Sequence, residues 1–168
     1  MISYEQALKI LEESGCKQKV IAHCIAVSNL ATCIGKELSN RGEKLDFELI
    51  KIGGLLHDLG RAKTHGIMHG LEGARMAEER GLDPRLVQII KRHIGAGITP
   101  EEAIKFGLPE DDYIPCTMEE KIVAHADNLT KGTKKITIQK RISLMEKKNI
   151  DIGSIERVKK LADEIGIV

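Results

Sequence analysis

Lys17-Gln18-Lys19-Val20-Ile21-Ala22-His23-Cys24-Ile25-Ala26-Val27-Ser28-Asn29-Leu30-Ala31-Thr32-Cys33-Ile34-Gly35-Lys36-Glu37-Leu38 decides the fold class. Within it Val20, Cys24, Val27, Ala31, Ile34 and Leu38 recur every three or four residues, and Ile21, Ile25 and Leu30 widen the stripe. That spacing predicts a long, deeply buried helix. Downstream, Asp46 is suited to cap a second helix that carries Phe47, Leu49, Ile50, Ile52, Leu55 and Leu56 as far as Gly60. Gly53-Gly54 weakens it but permits close packing against a neighbour. Further helices are expected over 69–80, ended by Gly81, and from Pro84 to His93, ended by Gly95. Thr99-Pro100-Glu101-Glu102 starts a short helix that stops near Gly107. Residues 107–117 read as a loop, Met118 to Asn128 as helix, and two amphipathic helices finish the chain near 137–148 and 154–165. No stretch alternates with period two, so the expected fold is all-α: one compact helical bundle over residues 1–168, with its core at 17–130 and no repeat or linker.

Composition narrows the class further. The 168 residues are 42% hydrophobic and 30% charged, the balance of a folded chain rather than a disordered one. No apolar run reaches the ~18 residues of a membrane span, and Met1-Ile2-Ser3-Tyr4-Glu5 does not begin like a signal peptide. A cytoplasmic protein with no membrane partner is therefore expected. Net charge is only +1, divided as −4 over residues 1–130 and +5 over 131–168. The basic residues Lys131, Lys134, Lys135, Lys140, Arg141, Lys147 and Lys148 read as the solvated face of terminal helices, the alternative being a surface that steers anionic substrates or contacts RNA phosphates. With two Phe, two Tyr and no Trp, stacking platforms are scarce, so a nucleic-acid partner is not favoured. Cys16, Cys24, Cys33 and Cys116 form no C-x-x-C pair and read as reduced thiols.

The chemistry lies in histidine and aspartate. Six His and eight Asp give a His-Asp dipeptide about 0.3 times by chance, so His57-Asp58 alone says little. The set says more: His23 lies within one predicted helix, His57-Asp58 ends a second, His69 opens a third, His93 ends a fourth and Asp127 lies in a fifth. A helical protein builds a metal site by pointing such side chains inward from several helices. His23, His57, Asp58 and Asp127 would hold one divalent ion, and Asp58, His69 and His93 a second, with Asp58 bridging. One or two ions are expected, Mn, Fe, Co or Ni ahead of Zn or Mg. Two ions sharing a water generate a hydroxide nucleophile and neutralise a phosphoryl group. Arg61 and Lys63 are the candidates for phosphate binding, with Arg92 a weaker third.

Each residue also has a plainer reading. A lone His23 is more often a core histidine than a ligand, and a lone Asp127 a surface acid; the apolar setting Ile122-Val123-Ala124-His125-Ala126 makes an unpaired acid there costly. His69 in Gly66-Ile67-Met68-His69-Gly70 can be a simple loop residue, and His65 reads as solvated. His125 faces about 200° away from Asp127 on a helix and is left out. Neither a dinucleotide fingerprint nor a Walker motif occurs.

The ordered set H23…H57-D58…H69…H93…D127, with His57-Asp58-Leu59-Gly60 close to a His-Asp-Ile-Gly variant, resembles the HD superfamily of metal-dependent phosphohydrolases over roughly residues 17–130. The two intervening histidines are similar to those of binuclear members, among them bacterial diadenosine tetraphosphate hydrolases; a cyclic phosphodiesterase of the archaeal pterin type is the other near resemblance. His93-Ile94-Gly95 stands where those hydrolases carry His-Thr-Gly. The resemblance implies Asp58, Arg61 and Lys63 as catalytic residues and His23, His57, Asp58, His69, His93 and Asp127 as metal ligands. It implies a small phosphorylated, nucleotide-like substrate. The alternative is a non-catalytic, metal-containing module that binds a nucleotide or RNA.

Overall fold

A computed structural model describes residues 1–167. Nine helices occupy the described residues: α1 (Tyr4–Glu13), α2 (Gln18–Asn40), α3 (Phe47–Leu56), α4 (His69–Glu79), α5 (Pro84–Arg92), α6 (Pro100–Lys105), α7 (Met118–Asn128), α8 (Ile138–Lys147) and α9 (Ile152–Ile165). The fold is all-α apart from a hairpin of two-residue strands, β1 (Thr130–Lys131) and β2 (Lys134–Lys135). Helix α1 has no counterpart in the sequence reading. A capping box starts it, the Gln6 N–H donating to Ser3 Oγ while the Ser3 N–H donates to Gln6 Oε1, and Ala7 and Leu11 bury its inner face.

The apolar stripe of α2 packs on α3, and the glycine pair sets the distance between neighbours. A Cβ on Gly53 would lie 2.7 Å from Ile89 Cδ1, and one on Gly54 would lie 2.8 Å from Ser28 Cα. The Ile89 methyl can move, whereas the Ser28 backbone is held by its own helix. Gly54→Ala is therefore expected to lower stability by about 2 kcal/mol through overpacking, and Gly53→Ala by less, as urea unfolding midpoints would measure. One apolar cluster extends from Ala7 to Ile167, so α9, through Val158, Leu161 and Ile165, shares the core with α2 and α3. No described helix is long and apolar enough to cross a membrane.

Candidate metal centre

Five helices and one 3₁₀ turn converge on one point. His23 projects from the second turn of α2, His57 caps the C-terminus of α3, and Asp58 follows it at the start of the 3₁₀ turn Leu59–Ala62. His69 begins α4, His93 caps the C-terminus of α5, and Asp127 lies in the last turn of α7.

Backbone carbonyls fix the rings. His57 Nδ1 lies 2.7 Å from Gly54 O, His69 Nδ1 2.8 Å from Gly66 O and His93 Nδ1 2.8 Å from Ile90 O, each three residues back. His23 Nδ1 lies 2.7 Å from Gly132 O in the β1–β2 turn. A carbonyl only accepts, so every Nδ1 carries the proton and every Nε2 of a neutral ring presents a lone pair inward. Those lone pairs face one another and the carboxylates: His69 Nε2 is 3.0 Å from His93 Nε2, and His23 Nε2 is 2.9 Å from Asp127 Oδ1. Buried His57 Nε2 has no hydrogen-bond partner. Lone pair against lone pair is repulsive unless a cation or a proton lies between them, so the donor set fits a metal ion.

Asp58 divides the cluster. Its Oδ1 lies 3.1 Å from His69 Nε2 and 3.5 Å from His93 Nε2, while its Oδ2 lies 3.9 Å from His23 Nε2 and 3.8 Å from His57 Nε2. Asp127 Oδ1 adds a contact of 3.6 Å to His57 Nε2. Three ligand triads have donor atoms within 4.8 Å of one another: His23, His57 and Asp58; His57, His93 and Asp127; Asp58, His69 and His93.

The electrostatics favour positive charge at the centre. Burial opposes charging His57, yet the Asp58 and Asp127 carboxylates raise its imidazole to about 9. Burial likewise opposes ionising the two acids, but the facing histidines hold both well below the usual carboxylate range. His93 goes the other way, pushed down by burial and by the neighbouring imidazoles.

The flanking candidates separate. Arg61 Nε donates to both Asp58 oxygens at 3.0 Å, its Nη1 donates to His65 O, and its side chain borders the cavity beside the cluster. Lys63 instead pairs with Glu72 at 3.5 Å and is absent from the cavity wall. Arg92 is held by Glu120, 3.1 Å away, whose other contact is the Cys116 N–H. That pairing occupies its Nη1 and turns it toward α7. His125 Nε2 donates to Ile167 O, away from the centre.

Sequence reasoning missed Arg141. Grouped there with a solvated basic face, its guanidinium is partly buried: Nε donates to Asn128 O at 2.6 Å, and Nη2 to Asp127 O and Thr130 O at 2.9 Å. It closes the C-terminus of α7 at the turn that carries Asp127, where unpaired carbonyls and the helix dipole favour a cation. Arg141, Met145 and Lys148 all border the cavity, at a spacing of i, i+4 and i+7 on α8. That mixed stripe was the available signal. The cavity, about 560 Å³, runs from His69, His93 and Asp127 outward between α6 and the α8–α9 turn.

Comparison with known proteins agrees with this arrangement. Residues 20–132 match the HD domain family. An uncharacterized protein of Methanocaldococcus jannaschii is 50% identical over 165 residues, which is 98% of this chain and 97% of that one. The tRNA (cytidine(56)-2′-O)-methyltransferase of Thermoplasma volcanium is 42% identical over 154 residues, 92% of this chain; the chain spans only 44% of that protein's length. The HD domain of L. monocytogenes phosphodiesterase PgpH, solved with cyclic-di-AMP, superposes with a TM-score of 0.60 at 15% identity, covering 93% of this chain and 92% of the other.

Proposed function

The chain belongs to the HD domain family, and from that premise we propose that it hydrolyses a nucleotide-type phosphoester with two divalent ions. The observation that carries the proposal is the division of Asp58: one oxygen faces His69 and His93, the other faces His23 and His57. His23, His57, Asp58 and Asp127 would hold one ion, and Asp58, His69 and His93 the other. Divalent ions so placed supply Lewis acidity toward water and toward a phosphoryl oxygen. Arg61 keeps the shared carboxylate oriented through its paired contacts and adds positive charge at the cavity edge. The cavity volume, about 560 Å³, falls within the range of small-molecule sites. Its wall, with Ile98, Phe106, Met145 and Ile150, offers apolar surface for a base or similar ring.

Metal content decides the matter first. Protein purified without oxygen or chelator should carry close to two equivalents of Mn, Fe, Co or Ni, and stripping them should lower its melting temperature. At a free-ion level ~100 times the dissociation constant, binding contributes ~2.7 kcal/mol, a readout independent of turnover. The loaded protein should cleave members of a panel of nucleotides, cyclic nucleotides, dinucleotides and short RNAs. A protein that takes up no metal, and melts at the same temperature with and without it, would sink the proposal. Metal uptake with tight binding but no turnover would favour the binding module.

A further inference from the structure

From Asn128 to Met145 the chain carries five basic residues, Lys131, Lys134, Lys135, Lys140 and Arg141, and no acid. The fold concentrates two of them. In the β1–β2 hairpin the register sets Lys131 opposite Lys134, across a two-residue tip of Gly132 and Thr133. Residues directly opposed in a ribbon share one face with Cβ atoms ~5 Å apart, and like charges so placed repel each other. Both lysines are exposed, and neither side chain makes an ion pair or a hydrogen bond among the described residues. The exposed Lys159 and Lys160 of α9 differ, since each has an acid four residues further on, Asp163 and Glu164.

The hairpin is also held in place. The Gly132 carbonyl at its tip accepts from His23 Nδ1 at 2.7 Å, the Thr130 carbonyl accepts from Arg141 Nη2 at 2.9 Å, and the Ile136 N–H closes its base on Leu129 O at 2.8 Å. Two cations are thus displayed from a fixed backbone, the preorganised arrangement that suits a polyanion. The place is separate from the cavity, whose wall includes no residue between 129 and 140.

We infer that this hairpin is a docking surface for double-helical RNA, with Lys131 and Lys134 each neutralising a backbone phosphate. Charge selects the polyanion, and shape selects the kind. None of the large hydrophobics exposed among the described residues lies in the hairpin, so it has no anchor for a lipid surface. Residues 129–137 contain no aromatic ring on which the bases of a single strand could stack. A two-residue tip tied back to His23 is too short for the floor of the DNA major groove, ~8.5 Å deep. It suits the wide, shallow minor groove of A-form RNA, where the exposed Thr133 hydroxyl can meet a 2′-hydroxyl between the phosphates. The inference is independent of the hydrolase reading, because it uses neither the cluster nor the cavity.

Fluorescence anisotropy of a labelled RNA stem-loop of ~16 base pairs, titrated with the full chain at salt from ~50 to ~200 mM, tests it. The same titrations in the Asp58→Asn protein prevent cleavage from masking binding. Lys131→Gln/Lys134→Gln should weaken binding about tenfold at the low-salt end. It should also make the plot of log K against log salt shallower by about 1.8, since each phosphate contact contributes ~0.9. The variant should melt at or above the parent's temperature, because a like-charge pair is gone, so lost binding is not lost folding. Lys159→Gln/Lys160→Gln should bind as the parent does. The docking surface is overturned by an RNA that the parent does not bind at low salt, by a salt slope that the hairpin variant preserves, or by an equal loss in the α9 variant. Equal affinity for a DNA duplex of the same sequence, or tighter binding to phosphatidylserine vesicles, overturns the assignment to RNA.

Discussion

Asp58→Asn should abolish turnover and remove both metal equivalents, the largest functional loss expected of any single side chain here. The amide keeps the shape but not the charge. One of its two terminal atoms becomes a donor, so it cannot face His69 and His93 on one side and His23 and His57 on the other with an oxygen each. It also withdraws an acceptor from Arg61 Nε, which contacts both Asp58 oxygens at 3.0 Å. The ions' stabilisation of a phosphoryl transition state amounts to several kcal/mol, so activity should fall by about 10³-fold or more. Elemental analysis beside initial rates would check it. His69→Ala is the informative partner variant, because it touches only the Oδ1 side of Asp58. It should leave about one ion while Asp58→Asn leaves none, and equal losses in the two variants would argue against a bridging carboxylate.

Much of this was readable in the chain, for reasons that differ by element. Helix α2 was legible because an apolar stripe recurs at helical spacing along it, and α7 because the loop that carries Pro109, Pro115 and three acids ends just before Met118. Helix α1 was not: ten residues with two buried positions give too short a period to stand out. The β1–β2 hairpin carries no strand pattern at two residues each, yet its Gly132 carbonyl orients His23. Ligand-type residues could be nominated because their order was informative before any contact was known, and the structure gathers all six. Partners set by tertiary contact could not. Arg92, beside His93, looked suited to phosphate, and only the fold reveals Glu120 against it. The role of Arg141 depends on three carbonyls from another helix end, which leave no mark on its own neighbourhood in sequence.

Gly60→Ala should be the most destabilising single methyl group added to this protein, although Gly60 binds nothing itself. It is buried, and the added Cβ would overlap the His69 carbonyl oxygen and stand 2.5 Å from the Gly73 N. From the other side, a Cβ on Gly73 would lie 2.8 Å from the Gly60 N. The turn after Asp58 therefore lies backbone against backbone on the first turns of α4. No flexible side chain can yield, so the strain must move one segment. Overpacking costs ~1–3 kcal/mol where side chains can adjust, and with backbone on both sides the upper end or more is expected. At ~2–4 °C per kcal/mol for a chain of this size, the melting temperature should drop by roughly 6–12 °C. The movement also has a direction. Displacing the start of α4 carries His69 away from Asp58 Oδ1, now 3.1 Å off, while His23 and His57 on α2 and α3 keep their places. Folded Gly60→Ala protein should thus hold about one metal ion. Gly66→Ala provides the contrast: in the exposed loop its Cβ would meet only Thr64 Oγ1 at 3.9 Å, so stability should stay within about 0.5 kcal/mol. A Gly60→Ala protein as stable as the parent, with two ions bound, would mean that the close approach of turn and helix does not position the second site.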